Sequence, residues 1–179
     1  MASPQLETTP LILRPPAEED LDGWAGLDAD PRAIQFIGGL RTRNQAWMDM
    51  ATAAGMWSLR GCGLFSVVEK DTGRWVGRVG PWLPDGAIGT EVGWAISPTS
   101  WGKGYATEAA RAAVGWAFDH LGWTDVIHCI DGPNTASIVV AERLGSGWLR
   151  AVCEADGKEV QLYGQSREAW YGANPGQAA

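Results

Sequence analysis

Cysteine is scarce: Cys62, Cys129 and Cys153 are the only three, an odd number without regular spacing. That excludes a disulfide scaffold, and the thiols read as reduced. His120 and His128 stand at no ligand spacing from them, so no metal site is expected. Long apolar runs are absent too. No stretch nears the roughly 20 residues of a membrane span, and Met1-Ala2-Ser3-Pro4 lacks the charged-then-apolar start of a secretion signal. The chain is therefore expected to stay in the cytoplasm, with no membrane partner. Basic residues are also few, 14 against 21 acidic, for a formal charge of -7. A nucleic-acid surface needs a basic stripe, so that class is disfavoured, whereas acidity suits a cationic amine substrate. No low-complexity linker or internal repeat interrupts the chain. Its 179 residues are expected to form a single domain, 1–179.

What the chain has in excess is tryptophan, with 11 residues. An indole buries a large apolar area and asks for one N–H partner, so most should line the core or a cleft. Trp24, Trp47, Trp57 and Trp82 are candidates for the walls of a substrate pocket.

Periodicity and turn residues predict an alternation of strands and helices. Residues 11–14 read as a short strand ended by Pro15-Pro16, and 17–28 as a helix with Glu18, Glu19 and Asp20 in its first turn. A second helix, capped by Asn44, spans 44–60. Strands 64–70 and 75–82 flank the turn Asp71-Thr72-Gly73, and strand 90–96 follows Pro84-Asp85-Gly86. Helix 104–120 carries Ala106, Ala109, Ala110, Ala113 and Ala117 on one side, a small face that lets it lie close to a sheet. Strand 125–130, helix 134–144 and a hairpin of 148–152 with 159–164 close the chain. Strand 90–96, helix 104–120 and strand 125–130 form a βαβ unit, so those two strands should be parallel with a right-handed crossover. The strands before it, joined by short turns, should be antiparallel. The expected class is α/β (α+β), with a mixed, mostly antiparallel central sheet and helices on both faces.

The most informative stretch is Ser97-Pro98-Thr99-Ser100-Trp101-Gly102-Lys103-Gly104-Tyr105-Ala106-Thr107. A strand, a glycine-bearing turn and a helix start put several free N–H groups at one point, and the helix dipole adds positive potential there. Gly102 and Gly104 let a phosphate approach the backbone without a Cβ in the way. Lys103 adds a positive charge. The better-known phosphate loops do not match: no GxxxxGK[ST] is present, and Thr107 takes the third position of a GxGxxG. By itself the turn is equally compatible with a plain loop before a helix.

Trp101-Gly102-Lys103-Gly104-Tyr105-Ala106 closely resembles motif A of the GNAT N-acetyltransferases, a (Gln/Arg)-x-x-Gly-x-(Gly/Ala) loop that holds the pyrophosphate of coenzyme A. Trp101 replaces the usual Gln or Arg, in a form typical of the RimJ/RimL-like branch. Further on, Asn134-Thr135-Ala136-Ser137 followed by Glu142-Arg143-Leu144-Gly145 resembles the family's N-x-x-S and E-(K/R)-L-G segment. In that family the Asn and Ser lie along the pantetheine arm. Asn134 is also an excellent helix N-cap, whatever else it does. The resemblance runs from about Leu11 to about Tyr171. It implies the GNAT fold, in which the parallel strand pair splays and coenzyme A enters the gap like an added strand. It implies acetyl-CoA as co-substrate, with no metal. Cofactor contacts would come from Ala95, Ile96, Ser97, Trp101, Gly102, Lys103, Gly104, Tyr105, Ala106, Thr107, Asn134 and Ser137.

The implied chemistry is attack of an amine on a thioester. That requires a neutral amine, a donor for the oxyanion and a proton for the leaving thiolate. A lysine-like amine is only about one part in a thousand neutral at pH 7, so a general base is useful. Glu91, at the start of the strand leading to the cradle, is the candidate, the alternative being a solvated acid at a strand end. Backbone N–H groups of residues 95–97 are candidates for the acetyl oxygen. Many family members carry a Tyr seven residues after the motif Asn; here that position is Ala141. Ser137 is the nearest replacement and Tyr163 the runner-up. His128 alternates with Val126 and Ile130 and reads as a satisfied core or cleft histidine. The acceptor is a primary amine, either a protein N-terminus or a small molecule, and a homodimer is compatible with the chain. Two other classes stay open: a catalytically degenerate acyl-CoA-binding or sensing module, supported by the missing Tyr, and a Rossmann-type nucleotide domain.

Overall fold

The computed structural model of the protein describes residues 4–153 and 157–174, so Met1 to Ser3 of the start considered above lie outside it. Its strands are β1 (Leu6–Glu7), β2 (Leu11–Arg14), β3 (Phe65–Glu69), β4 (Trp75–Trp82), β5 (Glu91–Ile96), β6 (Asp125–Ile130), β7 (Gly147–Cys153) and β8 (Glu159–Ser166). Its helices are α1 (Leu21–Asp28), α2 (Arg43–Arg60), α3 (Tyr105–His120), α4 (Thr135–Arg143) and α5 (Arg167–Ala173). The strands form one eight-stranded sheet in the order β1-β2-β3-β4-β5-β6-β8-β7. Every neighbouring pair is antiparallel except β5 and β6. One parallel pair in an antiparallel sheet rules out the Rossmann alternative, which requires a mostly parallel sheet.

Two differences from the sequence expectations concern helix starts. Residues 18–20 form a 3-10 turn before α1, and Asp20 is buried against Arg14, whose guanidinium donates to both carboxylate oxygens at 2.7 and 2.9 Å. The second helix begins at Arg43, capped by Thr42 and not Asn44. Thr42 Oγ1 accepts from Gln45 N at 3.3 Å while Gln45 Oε1 accepts from Thr42 N at 2.9 Å. This reciprocal box satisfies donors that an Asn cap two residues later would leave open. The short strand β1 and the Ser166-capped helix α5 had no counterpart in the sequence reading.

The core is split by the sheet. On one side α3 lays Ala109, Ala110, Ala113 and Ala117, all fully buried, against Val79, Val92 and Ile96. On the other, α1 and α2 enclose Trp24, Met50 and Ala53 with Trp75 and Trp82 around them. Of the four tryptophans considered for a pocket wall, Trp82 lies beside Glu91 as its register partner in β4, while the other three lie elsewhere. Trp24 gives its indole N–H to Ser66 Oγ at 3.4 Å, and Trp57 packs at a tilt against Phe65 with ring centroids 4.7 Å apart. Trp47 sits on the outer face of α2.

This second layer also positions the segment between α1 and α2. Arg78 of β4 holds Asp28 at the end of α1 through two bonds of 2.8 and 3.1 Å, and Arg41 N returns to Asp28 O at 3.0 Å. The intervening residues are thereby closed into a loop whose Phe36 and Ile37 lean over the β5–β6 junction.

Candidate active site

β5 and β6 share one register pair, Glu91 with Ile127, beyond which the two strands separate. A small cleft lies at this gap, lined by Phe36, Ile37, Glu91, Gly93, Trp94, Cys129, Asp131, Asn134 and Ser137 among others. Two strands that part leave backbone groups without a ladder partner. Ser97 N donates to Val76 O at 2.8 Å, so by the alternation of an antiparallel ladder residues 95 and 97 face β4. Residues 92, 94 and 96 face the gap. Of the amides proposed for the acetyl oxygen, Ile96 points the useful way, whereas Ala95 and Ser97 are turned to β4.

The cradle closes one end of the gap. Trp101 is half exposed and donates its indole N–H to Ile96 O at 2.7 Å, tying the loop to the end of β5. Gly102 and Gly104 take left-handed φ values of 76° and 79°, which a residue with a Cβ adopts only under strain. A Cβ built at either glycine meets no protein atom within 4 Å. The space beside them is open. Glu108 N donates to Gly104 O at 3.0 Å, so the N–H groups of Tyr105, Ala106 and Thr107 project from the first turn of α3. These features fit a pyrophosphate. Lys103 points away from it, donating to Glu69 Oε1 at 2.9 Å. Hydrogen bonds from Tyr105, Thr72 and Lys103 hold the Glu69 carboxyl down at about 2.

Glu91 and Gly93 lie on the α1–α2 side of the sheet, where Glu91 pairs with Trp82. The Glu91 carboxylate extends along the strand, 3.8 Å from the position a Cβ would take at Gly93. Trp94 points to the opposite side and donates its indole N–H to Ser137 Oγ at 3.2 Å. An indole nitrogen can only donate, so Ser137 accepts there and keeps its own O–H to give. Asn134 caps α4, its Oδ1 accepting from Ser137 N at 3.2 Å. Tyr163 is not brought to this cleft: it pairs with His128 in β8, on the far side of β6 from β5.

His128 is 1% exposed and bridges the strands where the ladder has ended. Its Nδ1 lies 2.7 Å from Val92 O and its Nε2 3.0 Å from Ser146 Oγ. Burial pushes its pKa down to about 4. It is a neutral structural histidine, as its alternation with Val126 and Ile130 suggested. Between pH 6.5 and 4 the unfolded chain takes up a proton that folded His128 refuses, so stability falls as pH drops through this window. The loss is about 3 kcal/mol over the full range. Equilibrium unfolding at pH 7 and 4.5 should show a larger drop for wild type than for His128→Gln. Equal drops would assign the acid sensitivity elsewhere.

Sequence reasoning missed Phe36, Ile37 and Trp94 as cleft residues. The available signal was an apolar pair just before Gly38-Gly39 in a loop otherwise rich in turn residues. At the rim, Lys158 joins three segments, bonding Asp131 at 2.9 Å and Phe36 O at 3.3 Å. Among the described residues no helix is long and apolar enough to cross a membrane, and no group of three or more His, Cys, Asp or Glu side chains could hold a metal.

A sheet opened at its single parallel pair, with an anion cradle at one end of the opening, defines a GNAT-type acyltransferase architecture. Residues 10–146 match the family model described as Acetyltransferase (GNAT) domain. The chain belongs to the GNAT acetyltransferase family, and as an enzyme it is an acetyl-CoA-dependent N-acetyltransferase. It is 29% identical over 165 residues to the uncharacterized N-acetyltransferase p20 of Bacillus licheniformis, covering 88% of this chain and 92% of that protein. It is 32% identical over 160 residues to the FsC-acetyl coenzyme A-N(2)-transacetylase of Aspergillus fumigatus, covering 80% of this chain and 65% of that one. The crystal structure of an acetyltransferase from Agrobacterium tumefaciens superposes with a TM-score of 0.84 at 28% identity, over 93% of this chain and 96% of the other.

Proposed function

We propose that the protein transfers an acetyl group directly to a primary amine in a ternary complex, with Glu91 as general base and Ser137 as proton donor to the leaving sulfur. The observation that carries this reading is their placement: Glu91 reaches the β5–β6 gap from the α1–α2 side and Ser137 from the α4 side. When bound, acetyl-CoA supplies the activated carbonyl. The gap-facing amide of Ile96 is a donor for the carbonyl oxygen as negative charge develops. Glu91 accepts the ammonium proton, through a water where the amine does not reach it. Phe36 and Ile37 exclude solvent and leave an apolar wall for the carbon skeleton of the acceptor. Glu91 gives the cleft an acidic group suited to a cation, the Asp131 charge being offset by Lys158. The acceptor is a protein N-terminus or a small-molecule amine.

A degenerate acyl-CoA-binding module is the second reading, favoured by Ala141 at the usual Tyr position. The hydroxyl held by Trp94 supplies a donor in its place, which favours the enzyme. Either way the cofactor should stabilise the fold. At about 100 times its dissociation constant coenzyme A contributes about 2.7 kcal/mol, a rise in melting temperature of roughly 5–10 °C for a domain of this size. No shift at millimolar coenzyme A would remove the cofactor assignment. Turnover with a panel of amines separates enzyme from sensor.

A further inference from the structure

Glu69 ends β3, away from the cleft, yet it is one of few buried carboxylates, at 6% exposure. Both its oxygens are engaged. Oε1 accepts from Tyr105 Oη at 2.5 Å and from Lys103 Nζ at 2.9 Å. Oε2 accepts from Thr72 Oγ1 at 2.7 Å and from Arg74 Nη2 at 3.4 Å. The second oxygen is thus tied to the β3–β4 turn, whose own backbone is closed by Glu69 N to Arg74 O and Gly73 N to Glu69 O, both 2.9 Å. The carboxylate is thereby held at both oxygens. Its other oxygen then grips the two residues on either side of Gly104.

We infer that Glu69 is a positioning residue for the pyrophosphate loop, fixing the left-handed turn at Gly104 by holding Lys103 and Tyr105 on one oxygen. Two anchors around a single glycine determine where the N–H groups at the start of α3 point. Without them Gly104 has the widest conformational freedom of any residue, and binding would have to order it. The same contacts neutralise Lys103, so the cradle holds its anion through oriented backbone N–H groups and the helix end and not through the lysine charge. The inference rests on the acetyltransferase reading of the cradle.

The test compares wild type and Glu69→Gln. A glutamine keeps the shape but loses the charge and one acceptor oxygen; whichever way its amide turns, either Lys103 or Arg74 faces an NH2 from which a cationic nitrogen cannot accept. The coenzyme A dissociation constant should rise about tenfold or more, because ordering the loop is now charged to binding. The dissociation constant of pantetheine, which lacks the diphosphate, should stay within twofold. Backbone amides of residues 102–107 should exchange faster in the ligand-free variant, with exchange outside this loop and the β3–β4 turn unchanged. The pair Lys103→Met with Tyr105→Phe releases the same anchors whichever way the amide turns, and carries the same expectations. Unchanged coenzyme A affinity in the folded Lys103→Met, Tyr105→Phe protein overturns the anchor role while leaving the acetyltransferase reading intact. Absence of coenzyme A binding by wild type overturns both.

Discussion

Glu91→Gln should lower turnover at pH 7 by about 10²–10⁴-fold, the usual worth of a general base. Glutamine keeps the shape and hydrogen-bonding reach of the side chain along β5 but takes no proton at neutral pH. Coenzyme A affinity should hardly change, since the carboxylate lies on the α1–α2 side of the strand and the cradle lies beyond the far end of β5. The deficit should shrink as pH rises toward the amine's own pKa, where the substrate arrives already neutral. That pH dependence distinguishes a base from an acidic anchor. An anchor that merely attracts the cation would raise KM and leave kcat near wild type. Normal turnover at pH 7 with saturating amine would end the base role and turn attention to an ordered water or to Asp131 on the same cleft.

Gly104→Val should weaken coenzyme A binding by about a hundredfold, or roughly 2.7 kcal/mol, while the protein still folds. Two effects act together. A β-branched residue at φ 79° is strained by about 1–2 kcal/mol, which tends to pull the loop out of shape. The new side chain would also project into space that no protein atom occupies within 4 Å, the space the pyrophosphate needs. Because nothing in the protein is displaced, the loss falls on binding more than on stability. Calorimetric titration together with a melting curve separates the two. Wild-type affinity in a folded Gly104→Val protein would place the cradle elsewhere.

Features carried by neighbouring residues were legible in the chain. The Ala face of α3, the turn around Gly73 and the Asn134 cap each depend on residues within a few positions of one another, so periodicity and turn chemistry suffice to read them. The cradle belongs to this group, since a strand end, two left-handed glycines and a helix start are consecutive. The cap of α2 shows the limit of even local reading. Thr42 and Asn44 are both good caps, and the reciprocal bond with Gln45 decides for Thr42.

What the sequence by itself determined, then, is the succession of elements from β2 to β8, the βαβ unit with its glycine turn and the family resemblance that implies the cofactor. What only the tertiary structure decided is which distant side chains meet. Glu69 reaches Lys103 and Tyr105, and Trp94 reaches Ser137. His128 spans to Val92, and Phe36 closes over Glu91. It also decided that Trp24 and Trp57 go to the core, Trp47 to the surface, and that Tyr163 stands across β6 from the gap. The physical reason is that a strand pattern of period 2 says which residues share a face but not which strand lies beside it. Partners more than a few residues apart are chosen by strand order, register and helix packing, all of them settled only when the whole sheet assembles.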